Sequence, residues 1–460
     1  MQSVIRLAAC LTLCTTPSRA EDYQVVVSET TAADPGWKAV ADALVAKHGG
    51  KLVTHAGNVA DALPALQAAH PRHTAFVATP AEAGKAFVAE VHRLTRAIDD
   101  DPYTDTLWGI VTGYTASNAL AIVNTPGPLV IERAASGTDI ELSLIPEGRW
   151  FCELTQGKRV NKEKGGEAVV SEGPADSTFE IVDTLNDYQP QMFVTSGHAT
   201  ERDWQLGYRY RNGSFRCKNG VLYGLDSAGK RKEVHSPNPK VYLPIGNCLM
   251  GHVDGPDAMA LAWMNSAGVV QMAGYTVPTW YGYMGWGLLD YFVEQPGRYT
   301  YAEAFFANQQ ALIHRLVTEY PALVGEKPAP GSTSRKAGQD GAGLLHDRDT
   351  VAFYGDPAFD ARLSAGPLRW EQKLVEEKGG YVLTITPKAG GKTFAPVNLN
   401  GSQRGGRPIV VLLPRRAPGG YRIEEGAETG AVATDDFVLV PLPDAKSDPV
   451  VLRIHLVPKA

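Results

Sequence analysis

Hydrophobic and polar positions alternate along the first mature stretch in a way that predicts βα units. "YQVVVSE" from Tyr23 is a β-branched run. "GWKAVADALVAKHGG" from Gly36 has helical spacing and stops at two glycines, a helix-ending signal. "KLVTHAG" reads as a strand, "VADALPALQAAH" as helix and "HTAFVATP" as a strand closed by a proline. A longer helical pattern, Ala81 to Ile98, and another strand, "TLWGIVTG", follow. Strands alternating with such helices predict a parallel sheet covered by helices.

The pattern turns polar and mixed from Gly127 to Gly173. "IVDTL" and "MFVTSG" then resume the strand texture. "VYLPIGNC" and "GVVQMAGYT" are nearly unbroken apolar runs, as strands buried on both faces should be. Between them "DAMALAWMNSAG" predicts a helix, capped by Asp254 or Asp257. A further helix runs from Thr300 and is stopped by Pro321, and Glu326 to Gly343 reads as a surface loop. Beyond Leu363 only short β runs separated by Gly, Pro and Asp remain, which predicts a separate all-β sandwich. The expected division is 1–20, 21–130, 131–365 and 366–460, and no internal repeat is visible.

Composition adds constraints. Of 460 residues, 44% are hydrophobic and 20% charged, an ordinary globular balance. The first twenty residues carry Arg6, a short apolar core and small residues before Glu21, which reads as an export signal. Its loss would take the net charge from −6 to −8, since Arg6 and Arg19 leave with it. A mildly acidic chain offers no nucleic-acid footprint. Past the signal, no apolar run approaches the roughly 20 residues of a membrane span. The expected location is outside the cytoplasm: secreted, periplasmic or at the cell surface. Three cysteines would remain, Cys152, Cys217 and Cys248, so one thiol at least is unpaired within a monomer. A 152–217 disulfide or two separate thiols would leave Cys248 free.

Candidate chemistry lies at two strand ends. His198 follows "MFVTSG", and Cys248 follows "VYLPIGN" fifty residues later. In open parallel sheets ligands bind beyond the carboxyl ends of strands. If the two strands are neighbours, an imidazole and a thiol meet there, and the pair can run nucleophilic catalysis. Gly197, Gly246, Asn247 and Gly251 would shape the turns. The amides of Cys248 and Ala199 could hold an oxyanion. Asp105, Asp183 and Glu201 are candidates to orient His198 or line the mouth. The aromatic segment "GYTVPTWYGYMGWG", with Tyr275, Trp280 and Tyr281, is either a substrate wall or local core. Cys248, His252 and Asp254 have zinc-compatible spacing but no second ligand pair, so no metal is expected. No GxGxxG or P-loop occurs, and no cofactor is expected.

The ordered set resembles the gingipain-like cysteine peptidases, which have a caspase-type fold. "PYTDTLWGIVTG", "MFVTSGHAT", "VYLPIGNCLMG", "AMALAWMNSAGVVQMAGYT" and "VAFYGDPAFD" follow that family's order over roughly residues 100–365. The resemblance implies a Cys248–His198 endopeptidase acting on proteins or peptides. It also implies a caspase/gingipain-like α/β core followed by an Ig-like sandwich. Ala199 stands where the family has glycine, and Trp108-Gly109 where it has Gly-Arg. The alternative is a caspase-fold binding or scaffold protein with a degenerate site.

Overall fold

A computed structural model describes residues 22–327, 340–377, 379–443 and 451–459. The expected export signal over 1–20 and most of the loop expected over 326–343 lie outside the described residues.

The centre of the molecule is one twelve-stranded sheet. In chain order its strands are β1 (Tyr23–Ser28), β2 (Lys51–His55), β3 (His73–Val77), β4 (Leu107–Val111), β5 (Arg133–Ser136) and β6 (Glu147–Phe151). They continue as β7 (Lys158–Lys162), β8 (Val169–Glu172), β9 (Met192–Thr195), β10 (Lys240–Pro244), β11 (Val269–Tyr275) and β12 (Val351–Tyr354). The spatial order is β2-β1-β3-β4-β12-β11-β10-β9-β5-β6-β7-β8. Pairing is parallel except at β11–β12, β6–β7 and β7–β8. The antiparallel β11–β12 seam reverses strand direction between the two halves of the sheet. The fold is thus α/β with a large, mostly parallel sheet.

Central strands β9 to β12 are buried along their whole length, which accounts for their apolar runs. Helices Pro35–His48, Lys85–Thr95 and Tyr301–Glu319 cover the sheet. The first ends at Gly49 with φ 64°, a left-handed cap suited to glycine. The last begins with a reciprocal Thr300–Glu303 capping box. Among the described residues no helix is long and apolar enough to cross a membrane.

Two local expectations fail. "IVDTL" is not a strand: Thr178–Asp183 is α-helical, with a wider turn over Thr184–Tyr188. Its buried residues Ile181, Val182 and Leu185 share one helical face, so helical spacing overrides β-branched propensity. Neither Asp254 nor Asp257 caps the helix Met259–Ser266. Its N-cap is Ala258, with no side-chain cap, while Asp254 pairs with Arg202 and Asp257 accepts from the amide of Asn219. The polar stretch 127–173 holds β5 to β8, the last three at one end of the sheet. These strands lack apolar runs because they are only partly covered; Val169 and Val170 on β8 are exposed.

The described residues beyond 366 form two antiparallel sheets. One has the strands Trp370–Glu377, Gly380–Pro387, Tyr421–Glu425 and Leu452–Pro458, and the other Ile409–Leu412, Val432–Ala433 and Phe437–Val440. Leu383, Ile385 and Leu456 of the first pack with Ile409, Val438 and Val440 of the second. This unit is not a loose appendage. Phe437 packs edge-on against Tyr103 and Phe306 of the large domain. The side chain of Arg404, 2% exposed, pairs with Asp290 and Glu294.

Candidate active site

β9 and β10 are neighbouring parallel strands, with Thr195 opposite Pro244. The chains leaving them run on side by side, and the amide of Ile245 still donates to the carbonyl of Thr195. Each strand then breaks. Gly197 has φ 93°, open to glycine and strained for other residues. At Gly246 a Cβ would come within 3.0 Å of both Ser196 and Trp286. The two loops therefore start at the same sheet edge, one carrying His198 and the other Cys248.

Asn247 joins the two loops. It is fully buried, accepts from the hydroxyl of Thr195, and donates to the carbonyl of Gly197 at 3.0 Å. Farther out, Arg202 forms a two-pronged pair with Asp254. The amide of Met259 donates to the carbonyl of Glu201.

Cys248 is half-buried. Its sulfur accepts from the amide of Thr279 at 3.2 Å, and the hydroxyl of Thr279 donates to the carbonyl of Asn247. The segment after β11 is thus fastened to the cysteine turn. Leu249 follows with φ 57°, an uncommon conformation for a branched side chain, and the chain turns sharply just after the thiol. Gly251 then packs directly on β11. Its amide donates to the carbonyl of Tyr275, and its carbonyl accepts from the hydroxyl of Tyr354. A Cβ there would lie 2.1 Å from the carbonyl oxygen of Gly274. Backbone cannot yield as a side chain does. Gly251→Ala should therefore lower stability by about 3 kcal/mol, the upper part of the overpacking range, read as a denaturation midpoint. An unchanged midpoint would show that the turn does not depend on this contact.

His198 is exposed, and its ring stacks on Tyr208 with centroids 4.9 Å apart. No hydrogen bond joins the ring to the sulfur of Cys248. Its loop folds as a small hairpin, with Gln205 donating to the carbonyl of His198 and an Ala199–Trp204 bridge. Among the described residues the amides of Ala199 and Cys248 have no protein acceptor. Ala199 is not among the residues with positive φ. Glycine there relieves no strain and only adds freedom to the unfolded chain. Ala199→Gly should change stability by about −0.5 to −1 kcal/mol and leave peptide turnover within about twofold, an effect below half a kcal/mol. A large gain in rate would mean that the loop is strained after all.

Glu153, just past β6, was not anticipated from the sequence. It is 8% exposed and has no cationic partner among the described residues. Its carboxylate accepts from the hydroxyls of Ser196 and Thr138. Its carbonyl accepts from the amides of Tyr208 and Arg209. The residue thus holds the histidine loop from both sides, through Ser196 before His198 and through Tyr208, which carries the ring. Burial pushes its carboxyl above the ordinary glutamate value, against the pull of the two hydroxyls.

Other sequence candidates fall elsewhere. Asp105 cannot orient His198. It lies at the start of β4, and β12, β11 and β10 stand between β4 and the histidine strand β9, a gap of roughly 19 Å. Burial pushes its carboxyl up to about 10, and the neighbouring acids Asp99, Asp101 and Asp436 add to the shift. Asp99, Asp101 and Asp105 are the one group among the described residues whose ligand atoms converge as a metal site would require. Asp183 pairs with Lys232 before β9 begins, remote from the loop after it. The side chain of Glu201 makes no bond to the histidine.

Tyr275 is core rather than pocket wall: it is fully buried and donates to Asp347 at 2.9 Å. Trp280 and Tyr281 are closer to the chemistry, because Thr279 touches the sulfur. Trp280 packs on Tyr281 and His346, and its buried Nε1 has no acceptor among the described residues. His346 bonds the carbonyl of Pro278, so the helix Asp340–Arg348 buttresses this segment. Cys152, Cys217 and Cys248 are all free thiols, and Cys217 lies 3.0 Å from the carbonyl of Asp257.

No family model and no curated protein matches the chain. A solved structure described as "Structure of Protease" overlays with a TM-score of 0.43 and 10% identity, over 95% of this chain and 97% of that one. A likeness that loose carries no argument about this chain.

Proposed function

We propose that the protein is a cysteine endopeptidase of the caspase/gingipain-like kind, with Cys248 as nucleophile and His198 as general base and acid. One observation carries the reading. Paired parallel strands deliver an imidazole and a thiol to the same sheet edge, where Asn247 joins the two loops and two amides have no protein acceptor among the described residues. The ordered motifs across residues 100–365 support it as well.

In this reading His198 takes the thiol proton and the sulfur attacks the substrate carbonyl. The amides of Cys248 and Ala199 receive the oxyanion. The C–N bond breaks as the imidazolium returns its proton to the leaving amine, and a thioester remains. Water, deprotonated by His198, then attacks the thioester, releases the carboxylate product and restores the thiol. The ring must leave Tyr208, or tilt on it, to reach the sulfur. Apo sites often close such contacts only with substrate bound. Residues 1–20 would export the enzyme, and the C-terminal sheets would be its Ig-like domain.

The second reading, a degenerate caspase-fold binding protein, is favoured by the ring lying on Tyr208 rather than on the sulfur. Two measurements separate them: turnover of a broad peptide library, and labelling by a thiol-directed peptide electrophile. Hydrolysis with label on Cys248 supports the enzyme. No turnover, with Cys248 inert in the folded protein, supports the binding protein.

A further inference from the structure

The C-terminal unit reaches into the candidate site. Between its strands Gly380–Pro387 and Ile409–Leu412, the chain leaves the β sheets and lies on the large domain. The carboxylate of Glu294 accepts from the amides of Val397 and Asn398. Arg404 clamps the other side through Asp290 and Glu294, and donates to the carbonyl of Asn400 at 2.9 Å. Arg407 donates to Asn308 and lies over the ring of Tyr283. At Gly401, φ 106°, a Cβ would strike the ring of Trp286, the same ring that backs Gly246. The loop is thus fixed at both ends, and its middle is pressed against the site.

At that middle stands Asn400. Its amide donates to the hydroxyl of Thr138 at 2.9 Å and to the carbonyl of Asp139 at 3.1 Å. Having accepted that bond, the Thr138 hydroxyl spends its single proton on Glu153, at 2.8 Å. The other oxygen of Glu153 accepts from Ser196, two residues before His198. Asn400, Thr138, Glu153 and Ser196 form a continuous run of hydrogen bonds from the C-terminal unit to the histidine loop: the bond from Asn400 polarises the Thr138 hydroxyl toward Glu153, and Ser196 donates into the same carboxylate from the other side.

We infer that Asn400 is a positioning residue for His198, so that the C-terminal unit is part of the active site rather than an appendage. The inference rests on the peptidase reading for its kinetic consequence only. Without the donor, the Thr138 hydroxyl can turn away from Glu153. The Glu153 carboxylate then holds Ser196 and the histidine loop less firmly.

The test uses the full chain with Asn400→Ala, Asn400→Asp and Asn400→Gln, and Arg422→Ala on the outer face of the C-terminal sheet as control. Asn400→Ala should lower kcat about tenfold with KM little changed, as expected when a reacting group is misplaced by a fraction of an ångström. Asn400→Asp, the same shape without the donor, should lose at least as much, and Asn400→Gln should recover part. Arg422→Ala should match wild type. Independently of any substrate, the His198 ring resonance in histidine-labelled protein should move in the Ala and Asp variants and not in the control. A kcat within twofold of wild type and an unmoved resonance in Asn400→Ala would overturn the inference. Wild-type protein that turns over no peptide, but whose His198 resonance moves with Asn400, would remove the peptidase reading and leave the positioning role standing.

Discussion

Cys248→Ala should abolish peptide hydrolysis, a loss on the order of 10⁴-fold or more, while the protein stays folded. The thiol is half-buried, and its partners are the backbone of Thr279. Removing it leaves one amide without an acceptor at a partly wet site, a cost of about 1 kcal/mol. Asn247, Gly251 and the Arg202–Asp254 pair still hold the turn. His198→Ala should lose nearly as much rate and even less stability, because the ring is exposed and its contact is a stack on Tyr208. The double variant should be no worse than the poorer single one, since the two groups act as a unit. Additive losses would mean that the ring and the thiol serve different steps. A wild-type rate in Cys248→Ala would place the nucleophile elsewhere, and one in His198→Ala would place the base elsewhere.

What could be read in the chain follows from burial. The strands β9, β10 and β11 announce themselves because both faces are covered, and two-sided burial leaves an unbroken apolar run. The glycines that end them were readable for the same reason, since they mark where the run stops. Glu153 was not readable. It sits just past a half-covered strand in a stretch that alternates poorly, 45 residues from His198, and its partners are two hydroxyls and two backbone amides that no local spacing encodes.

Asp105 misled for a complementary reason. An acid at a strand start looks available to a site, and only the sheet order puts it out of reach, with β12 inserted beside β4 ahead of β11, β10 and β9. The strand that intervenes comes from 240 residues farther along, after the cysteine and its helices. Asn400 was hidden most thoroughly, because it arrives from a different domain. The sequence shows there only a Pro- and Gly-rich connection, and nothing in composition marks a connection that is anchored by two buried arginines.

Glu153→Gln should separate activity from stability. Wild-type Glu153 has its carboxyl raised by burial, with no cation beside it. For an acid raised on folding, the folded state binds more protons than the unfolded chain. Its favourable contribution is therefore full below the ordinary glutamate value of 4.5 and is lost as pH rises through the raised value. At neutral pH the ionised group is a burden that the fold carries. The glutamine variant keeps the shape and sheds the charge. One hydroxyl, of Ser196 or Thr138, must turn to accept where it formerly donated. The variant should therefore be at least as stable as wild type at pH 7, and its advantage should shrink toward pH 4. Its activity should move the other way, with kcat lower by about tenfold or more, as expected when the loop that carries a reacting group is misplaced by a fraction of an ångström, and KM nearly constant. A residue kept at the expense of stability and needed for rate belongs to function. Thermal midpoints across pH, measured beside kcat, decide it. A variant that loses midpoint and activity together would make Glu153 a structural brace, and one that keeps full activity would remove it from the site.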